Sequence, residues 1–329
     1  MEYRRLGETE IDVSVYSLGC WPFAGGVVWG DQDDNDSIAA VGAALEAGIT
    51  CFDTAEGYES GRSERVLGKA LGSRRSNAVI ATKVSPNHLT TVDVASACER
   101  SLTNLGTDYI DLYQIHWPNH DIPISETVRA LEDLKSSGKV RAIGVSNFGV
   151  LDLTEMVGLT TCASNQIPYS LLWRVIEHEV RPVCVANDVG IICYTPLSQG
   201  LLTGRYKTAW DVPDGLARTR HYSSNRPLAK HGESGCEEEV FAAIAKIQAI
   251  SDEIGQPMAS VALAWLRQQK GVSTILVGAR NKAEVGMNLP ALELKLSDEI
   301  VNRLDIASDP VKERLGTNVD GWNVPSRYR

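Results

Sequence analysis

No run of about eighteen apolar residues occurs in this sequence, so it offers no candidate for a membrane-crossing helix. It has no Cys-x-x-Cys pair. Its seven cysteines, Cys20, Cys51, Cys98, Cys162, Cys184, Cys193 and Cys236, are odd in number and scattered, mostly inside apolar stretches. That pattern excludes a disulfide framework and a zinc ribbon and leaves small buried hydrophobes. Positive charge is in deficit: 32 Lys and Arg stand against 42 Asp and Glu, a net charge of −10. That balance argues against nucleic acid or an anionic membrane as a main partner, while leaving room for a local basic pocket for a phosphate. No G-x-G-x-x-G and no Walker loop is present, so a dinucleotide is not held in the Rossmann manner. His178-Glu179 lacks the second histidine of H-E-x-x-H. The acidic run from Asp31 to Asp36 has Asp36 where a calcium loop needs glycine and Gly42 where it needs glutamate. It reads as a solvated helix cap, and no metal is expected. The segment from Met1 to Gly7 is basic with no apolar stretch behind it, which argues against a signal peptide. A reducing, cytoplasmic setting is the expectation.

What is present is alternation. Short β-branched runs at residues 15–19, 50–53, 79–83, 110–116, 140–145, 163–167, 190–194 and 274–277 read as strands. Helical spacing fills the intervals: Ile38, Val41 and Leu45 precede the stop signal Gly48, and residues 127–136 precede Gly138. Eight such strand–helix units predict one domain over residues 1–329, an α/β (β/α)8 TIM barrel. A doubly wound sheet with a second domain is the alternative. Residues 3–13 suggest a hairpin that plugs the bottom of the barrel. A long loop at 207–237, after the seventh strand, fits no element, and the tail 309–329 reads as irregular.

Barrel enzymes place their chemistry at the C-terminal ends of the strands. The predicted strands end on Asp53, Lys83, His116, Ser146 with Asn147, and Gln166, spaced 30, 33, 30 and 20 residues apart. One β/α unit takes about thirty residues, so a polar residue recurs at one rim. Taken singly, Asp53 is a strand-end cap, Lys83 a solvated strand end and His116 a core histidine. In register, Asp53, Lys83 and His116 would surround Tyr58. A free tyrosine is too weak an acid at neutral pH, and a neighbouring ammonium would lower its pKa. The quartet is a proton relay built on a tyrosine.

The motifs are more specific than the spacing. Asp53-Thr54-Ala55-Glu56-Gly57-Tyr58 with Gly61-Arg62-Ser63-Glu64 resembles the aldo-keto reductase signature around its catalytic aspartate and tyrosine. Ala81-Thr82-Lys83 resembles that family's lysine strand. Residues 108–118, which end Gln114-Ile115-His116-Trp117-Pro118, resemble its histidine strand. Residues 139–148 resemble its fifth strand, and Tyr194-Thr195-Pro196-Leu197 with 200–204 its seventh. These matches span most of the chain in order.

The resemblance implies an NADP(H)-dependent oxidoreductase acting on an aldehyde, ketone or sugar-like carbonyl, with NAD possible. Tyr58 would be the general acid, tuned by Lys83 and Asp53, and His116 would position the carbonyl. Ser146, Asn147 and Gln166 would hold the nicotinamide carboxamide, and Tyr194 would stack on the ring. Leu197 and Gln199 would meet the pyrophosphate; Gly278, Arg280, Glu284 and Asn288 would hold the adenosine end. Arg280 would pair with the 2′-phosphate. Trp21, Trp29 and Trp117 are candidate pocket walls. Two positions depart from the pattern: Glu59 follows the tyrosine where glycine is common, and Glu284 replaces a frequent glutamine. A carboxylate at 284 works against a 2′-phosphate. A sugar or polyol dehydrogenase working oxidatively, and a cofactor-binding regulatory subunit of low activity, are the other functions the family allows. The partner is a small-molecule carbonyl or hydroxyl substrate, and an oligomer is possible. Arg205, Arg218, Arg220, His221 and Arg226 give the long loop and its edge a cationic character suited to a pyrophosphate or a polar substrate.

Overall fold

The structure, a computed structural model, describes residues 1–329 apart from the side chains of Val27 and Val28. Strands β1 (Tyr3–Arg5) and β2 (Asp12–Ser14) pair antiparallel, with Arg4 opposite Val13. Eight parallel strands follow: β3 (Tyr16–Gly19), β4 (Cys51–Asp53), β5 (Val79–Val84), β6 (Ile110–Ile115), β7 (Val140–Ser146), β8 (Ser164–Pro168), β9 (Gly190–Tyr194) and β10 (Val272–Gly278). They close in sequence order, with β10 returning to β3. The barrel holds and the doubly wound alternative falls.

Inward and outward residues alternate as the pleat demands. On β6, Tyr113 and Ile115 join the shell of core that the helices cover, while Leu112 faces the barrel interior. The hairpin supplies the floor. Leu6, Ile11 and Val13 pack beneath Cys51, Ala81, Leu112, Ala142, Ile192 and Leu276. The predicted plug is therefore real, and its physical basis is the apolar side chains that β1, β2 and their turn carry into an open barrel end.

The acidic run caps a helix as expected. Asp33 accepts the Asn35 N–H at 2.8 Å and starts the helix Asp34–Glu46, which buries Ala40, Val41 and Ala44. All seven cysteines are free and buried. Residues 207–237 contain only one short 3-10 turn, Ala209–Asp211, but they are tied down throughout. Arg220 bonds Glu233 and the carbonyls of Leu315 and Asn318, and Arg226 bonds Glu237 and the Ala209 carbonyl.

The tail departs from expectation. The helix Asp298–Leu315 runs through Pro310, so the irregular segment starts only at Gly316. An interior proline costs about 3 kcal/mol. Leu304, Val311 and Leu315 are buried on one face of that helix, and such side chains contribute roughly 1.5–3 kcal/mol each. Burial outweighs the proline.

Candidate active site

Four strand ends converge at the upper rim. Asp53 closes β4, Lys83 lies in β5, His116 follows β6, and Gln166 lies in β8. Lys83 is fully buried, and its ammonium donates to Asp53 Oδ1 at 2.5 Å, the Thr54 carbonyl at 2.7 Å and the Tyr58 hydroxyl at 3.3 Å. The ammonium thus has its three hydrogen-bond partners inside the protein. The His116 ring stands edge-on to Tyr58, with centroids 5.8 Å apart.

Burial sets the protonation states. It holds the Tyr58 hydroxyl above its ordinary value, against the pull of the Lys83 ammonium. This corrects the sequence expectation of a lowered tyrosine: the ammonium acts in the predicted direction, but desolvation and the Asp53 charge win. Burial also disfavours the Lys83 ammonium, yet Asp53 and Tyr58 together hold it above its usual value. His116 is pushed down to about 3 by burial and by Lys83. The site at neutral pH is therefore a protonated phenol, a charged lysine and a neutral imidazole.

Aromatic walls flank the tyrosine. Trp21 stacks on Tyr58 at 5.8 Å, and Trp29 meets Trp21 edge-on at 5.5 Å. Trp117 lies against Trp322 and Tyr328, both from the irregular tail. The Arg327 guanidinium sits 3.9 Å above the Trp117 ring and pairs with the buried Asp320. A further clamp ties Arg329 to the buried Asp152. Tyr328 and Trp322 stand at the site although little in the sequence assigned them there; the signal was only a tail rich in aromatics.

The residues expected to hold the carboxamide are together. Asn147 Nδ2 donates to the His116 carbonyl and to Ser146 Oγ, each at 3.0 Å. Its Oδ1 accepts from Tyr194 at 2.7 Å and Tyr328 at 3.2 Å. Gln166 Nε2 donates to Asp53 Oδ2 at 2.7 Å. Gln114, which the sequence reading passed over, is buried beside it with Nε2 at 3.4 Å from the same oxygen. A period-2 pattern through Leu112, Gln114 and His116 was the available signal.

An open cleft of about 390 Å³ continues from this rim, lined by Ser198, Gln199, Thr219, His221, Trp173 and Trp322 among others. Thr195, Ser198 and Gln199 all have positive φ, and such backbone persists where the surroundings impose it, often at ligand sites. Leu197 packs partly buried against the core. Where the adenosine end was expected, Gly278 closes β10 and Asn288 closes the helix Lys282–Asn288. The Arg280 side chain donates to Gln32 Oε1 at 2.8 Å and to the Asp31 carbonyl, while Glu284 accepts the Arg280 N–H at 2.7 Å. Of the loop cations, Arg220 and Arg226 are bound to acids and carbonyls. His221 lines the cleft, and burial pushes it down to about 4. The Glu59 carboxylate lies against Gly26, where a Cβ would sit 2.5 Å from its Oε1.

The comparisons agree with the fold. The profile of the aldo/keto reductase family matches residues 17–309. The aldo-keto reductase YhdN of Bacillus subtilis is 33% identical over 296 residues, 87% of each chain. The NADH-specific methylglyoxal reductase of Escherichia coli is 33% identical over 316 residues, covering 89% of this chain and 94% of its own. Among solved structures, an aldo-keto reductase of Klebsiella pneumoniae in complex with NADPH superimposes with a TM-score of 0.73 at 30% identity, covering 93% of this chain and 95% of its own. With the barrel, the buried lysine–aspartate pair and the tyrosine in place, this chain belongs to the aldo/keto reductase family.

Proposed function

We propose that this protein interconverts a carbonyl and an alcohol on a small molecule with NADP(H), using Tyr58 as general acid and base. One observation carries the reading. The Tyr58 hydroxyl is 3.3 Å from an ammonium that is fully buried and paired to Asp53. A structural role for Tyr58 would not require a charge pair to be sealed beneath it at the cost of desolvation.

The residues present fit a nicotinamide cofactor. Gln166 spends its Nε2 on Asp53, and its Oε1 has no partner among the described residues. Ser146, Asn147 and Tyr194 stand beside it, and the cleft opens past Pro168, Ser198 and Gln199. When bound, the cofactor would supply or take up the hydride. In reduction, Tyr58 Oη gives its proton to the carbonyl oxygen, and the Lys83 ammonium stabilises the phenolate left behind. The neutral His116 ring hydrogen-bonds the same oxygen and orients it. Trp21, stacked on the Tyr58 ring, would form one wall of the substrate pocket. Held above its ordinary value, the phenol keeps its proton at neutral pH, and the Lys83 ammonium is what eases its transfer.

NAD is the second reading for the cofactor, and one contact favours it. The Arg280 guanidinium is already engaged by Gln32 and Asp31, and Glu284 takes the adjacent N–H.

Tyr58→Phe tests the assignment. Oxidation of NADPH by a reactive small aldehyde should fall by roughly 10²–10⁴-fold, while NADPH still quenches the protein's fluorescence. Undiminished turnover in the phenylalanine variant would remove Tyr58 from the chemistry.

A further inference from the structure

The Asp53 carboxylate meets more than the relay requires. Its Oδ1 takes the Lys83 ammonium, and its Oδ2 takes Gln166 Nε2 at 2.7 Å with Gln114 Nε2 at 3.4 Å. Asp53, Lys83, Gln114 and Gln166 are all buried. An ionised carboxylate only accepts hydrogen bonds. Both glutamines must therefore turn their nitrogens toward Asp53 and their oxygens away.

The consequence differs for the two. Gln114 Oε1 is left buried without a partner, as is Ser164 Oγ, which flanks Gly144 from the opposite strand. Asp53 thus dictates the amide's orientation even where the other end goes unsatisfied. Gln166 is pinned from behind as well: its backbone carbonyl accepts Ser146 Oγ at 3.0 Å and the Asn147 N–H at 2.9 Å. With backbone and nitrogen both fixed, its Oε1 is left turned away from Asp53, on a strand flanked by β7 with Ser146 and β9 with Tyr194.

We propose that Asp53 and Gln166 act as one unit, in which Asp53 turns the Gln166 oxygen outward to accept from the nicotinamide carboxamide, and Gln166 in return holds Asp53 as a positioning residue of the proton relay. This rests on the NADP(H) reading above. The seat of the hydride donor and the proton relay then share a single carboxylate. Loss of the Gln166 donor leaves the Asp53 charge less compensated. That charge opposes ionisation of Tyr58, so Tyr58 should ionise at higher pH. The groups facing the Tyr58 hydroxyl are Lys83 and Asp53, with His116 edge-on to the ring and Cys20 buried nearby.

The experiment measures NADPH affinity by fluorescence quenching and the pH profile of kcat/KM, on the full chain and on Asp53→Asn, Gln166→Leu, Gln166→Met and Asp53→Asn/Gln166→Leu. An asparagine at 53 can present oxygen or nitrogen, so Gln166 is no longer oriented and NADPH affinity should drop about tenfold. Gln166→Leu should weaken NADPH similarly and move the alkaline limb up by about half a pH unit. The methionine variant, close in length but without a donor, should shift the limb equally, which separates the effect from lost packing. The double variant should bind NADPH no worse than the weaker single variant. Wild-type affinity in Asp53→Asn, or additive losses in the double variant, overturns the coupling while the reductase reading stands. A Gln166 variant that loses NADPH affinity with its alkaline limb unmoved also overturns it. Failure of the unmodified protein to bind any nicotinamide cofactor would end both proposals together.

Discussion

The two storeys of the barrel interior differ by one step along the same strands. Cys51, Ala81, Leu112 and Ala142 form the floor with the hairpin residues Leu6, Ile11 and Val13. Two residues further along each strand stand Asp53, Lys83, Gln114 and Gly144. A rise of about 7 Å separates an apolar layer from a layer holding a buried ion pair and the Gln114 amide. The backbone shows the same contrast. Among the described residues, seven that are not glycine have positive φ, and all but Asp188, which precedes β9, lie in segments after strand ends at the upper rim. The lower layer buries apolar surface and stabilises; the upper layer holds charge and strain that the lower layer must support.

Substitutions can break that contrast. Lys83→Met leaves Asp53 buried without its counter-charge. It should cost about 3–5 kcal/mol of stability and lower turnover by at least ~10², read by denaturant titration and by NADPH oxidation. Leu6→Ala, in the floor, should cost roughly 2–5 kcal/mol but leave kcat unchanged at temperatures where the variant is folded. If Leu6→Ala altered kcat as much as stability, the division of labour between the storeys would be wrong.

A smaller effect concerns pH. His116 is held at about 3 by burial and Lys83, so it gains no charge as pH falls from neutral to about 4. Tyr58 is held above its ordinary value, and the proposed reduction needs its proton, so activity should be lost only at pH above the ordinary tyrosine value of about 10. The kcat/KM profile should therefore show no step near the usual histidine value of about 6.5. A step there that vanished in His116→Asn would show that the imidazole is far less desolvated than its surroundings imply.

The upper storey was more legible in the sequence than the floor's neighbours at the rim. Asp53, Lys83, His116 and Gln166 announced themselves because each ends an apolar run, and a strand end is a local property. Gln114 did not, since it sits inside β6 and looks like an interruption of an apolar strand. The aromatic tail was harder still. Tyr328 reaches Asn147 across 181 positions, and no local pattern encodes such a contact. The last turns of the helix through Pro310 were hidden because the burial of Leu304, Val311 and Leu315 that holds them is tertiary. The loop arginines were visible as charge, but their partners, Glu233, Glu237 and backbone carbonyls, become visible only after folding.

The mildest test lies at the outer edge of the rim, where the resemblance puts the choice of cofactor. Arg280 Nε donates to Gln32 Oε1 and Gln32 Nε2 donates to the Arg280 carbonyl, each at 2.8 Å. This reciprocal pair competes with any 2′-phosphate for the guanidinium. Arg280→Ala should weaken NADPH about tenfold and leave NADH nearly unchanged, because a charge-assisted hydrogen bond to phosphate is worth roughly 1.5–3 kcal/mol. Gln32→Leu should do the reverse on a smaller scale. Freed from its partner, Arg280 no longer has to break a contact before binding, and NADPH affinity should rise roughly threefold. Titrating both variants with both cofactors separates the cases. An Arg280→Ala variant that lost NADPH and NADH affinity equally would make Arg280 a brace for the loop after β3, with no part in reading the 2′-phosphate.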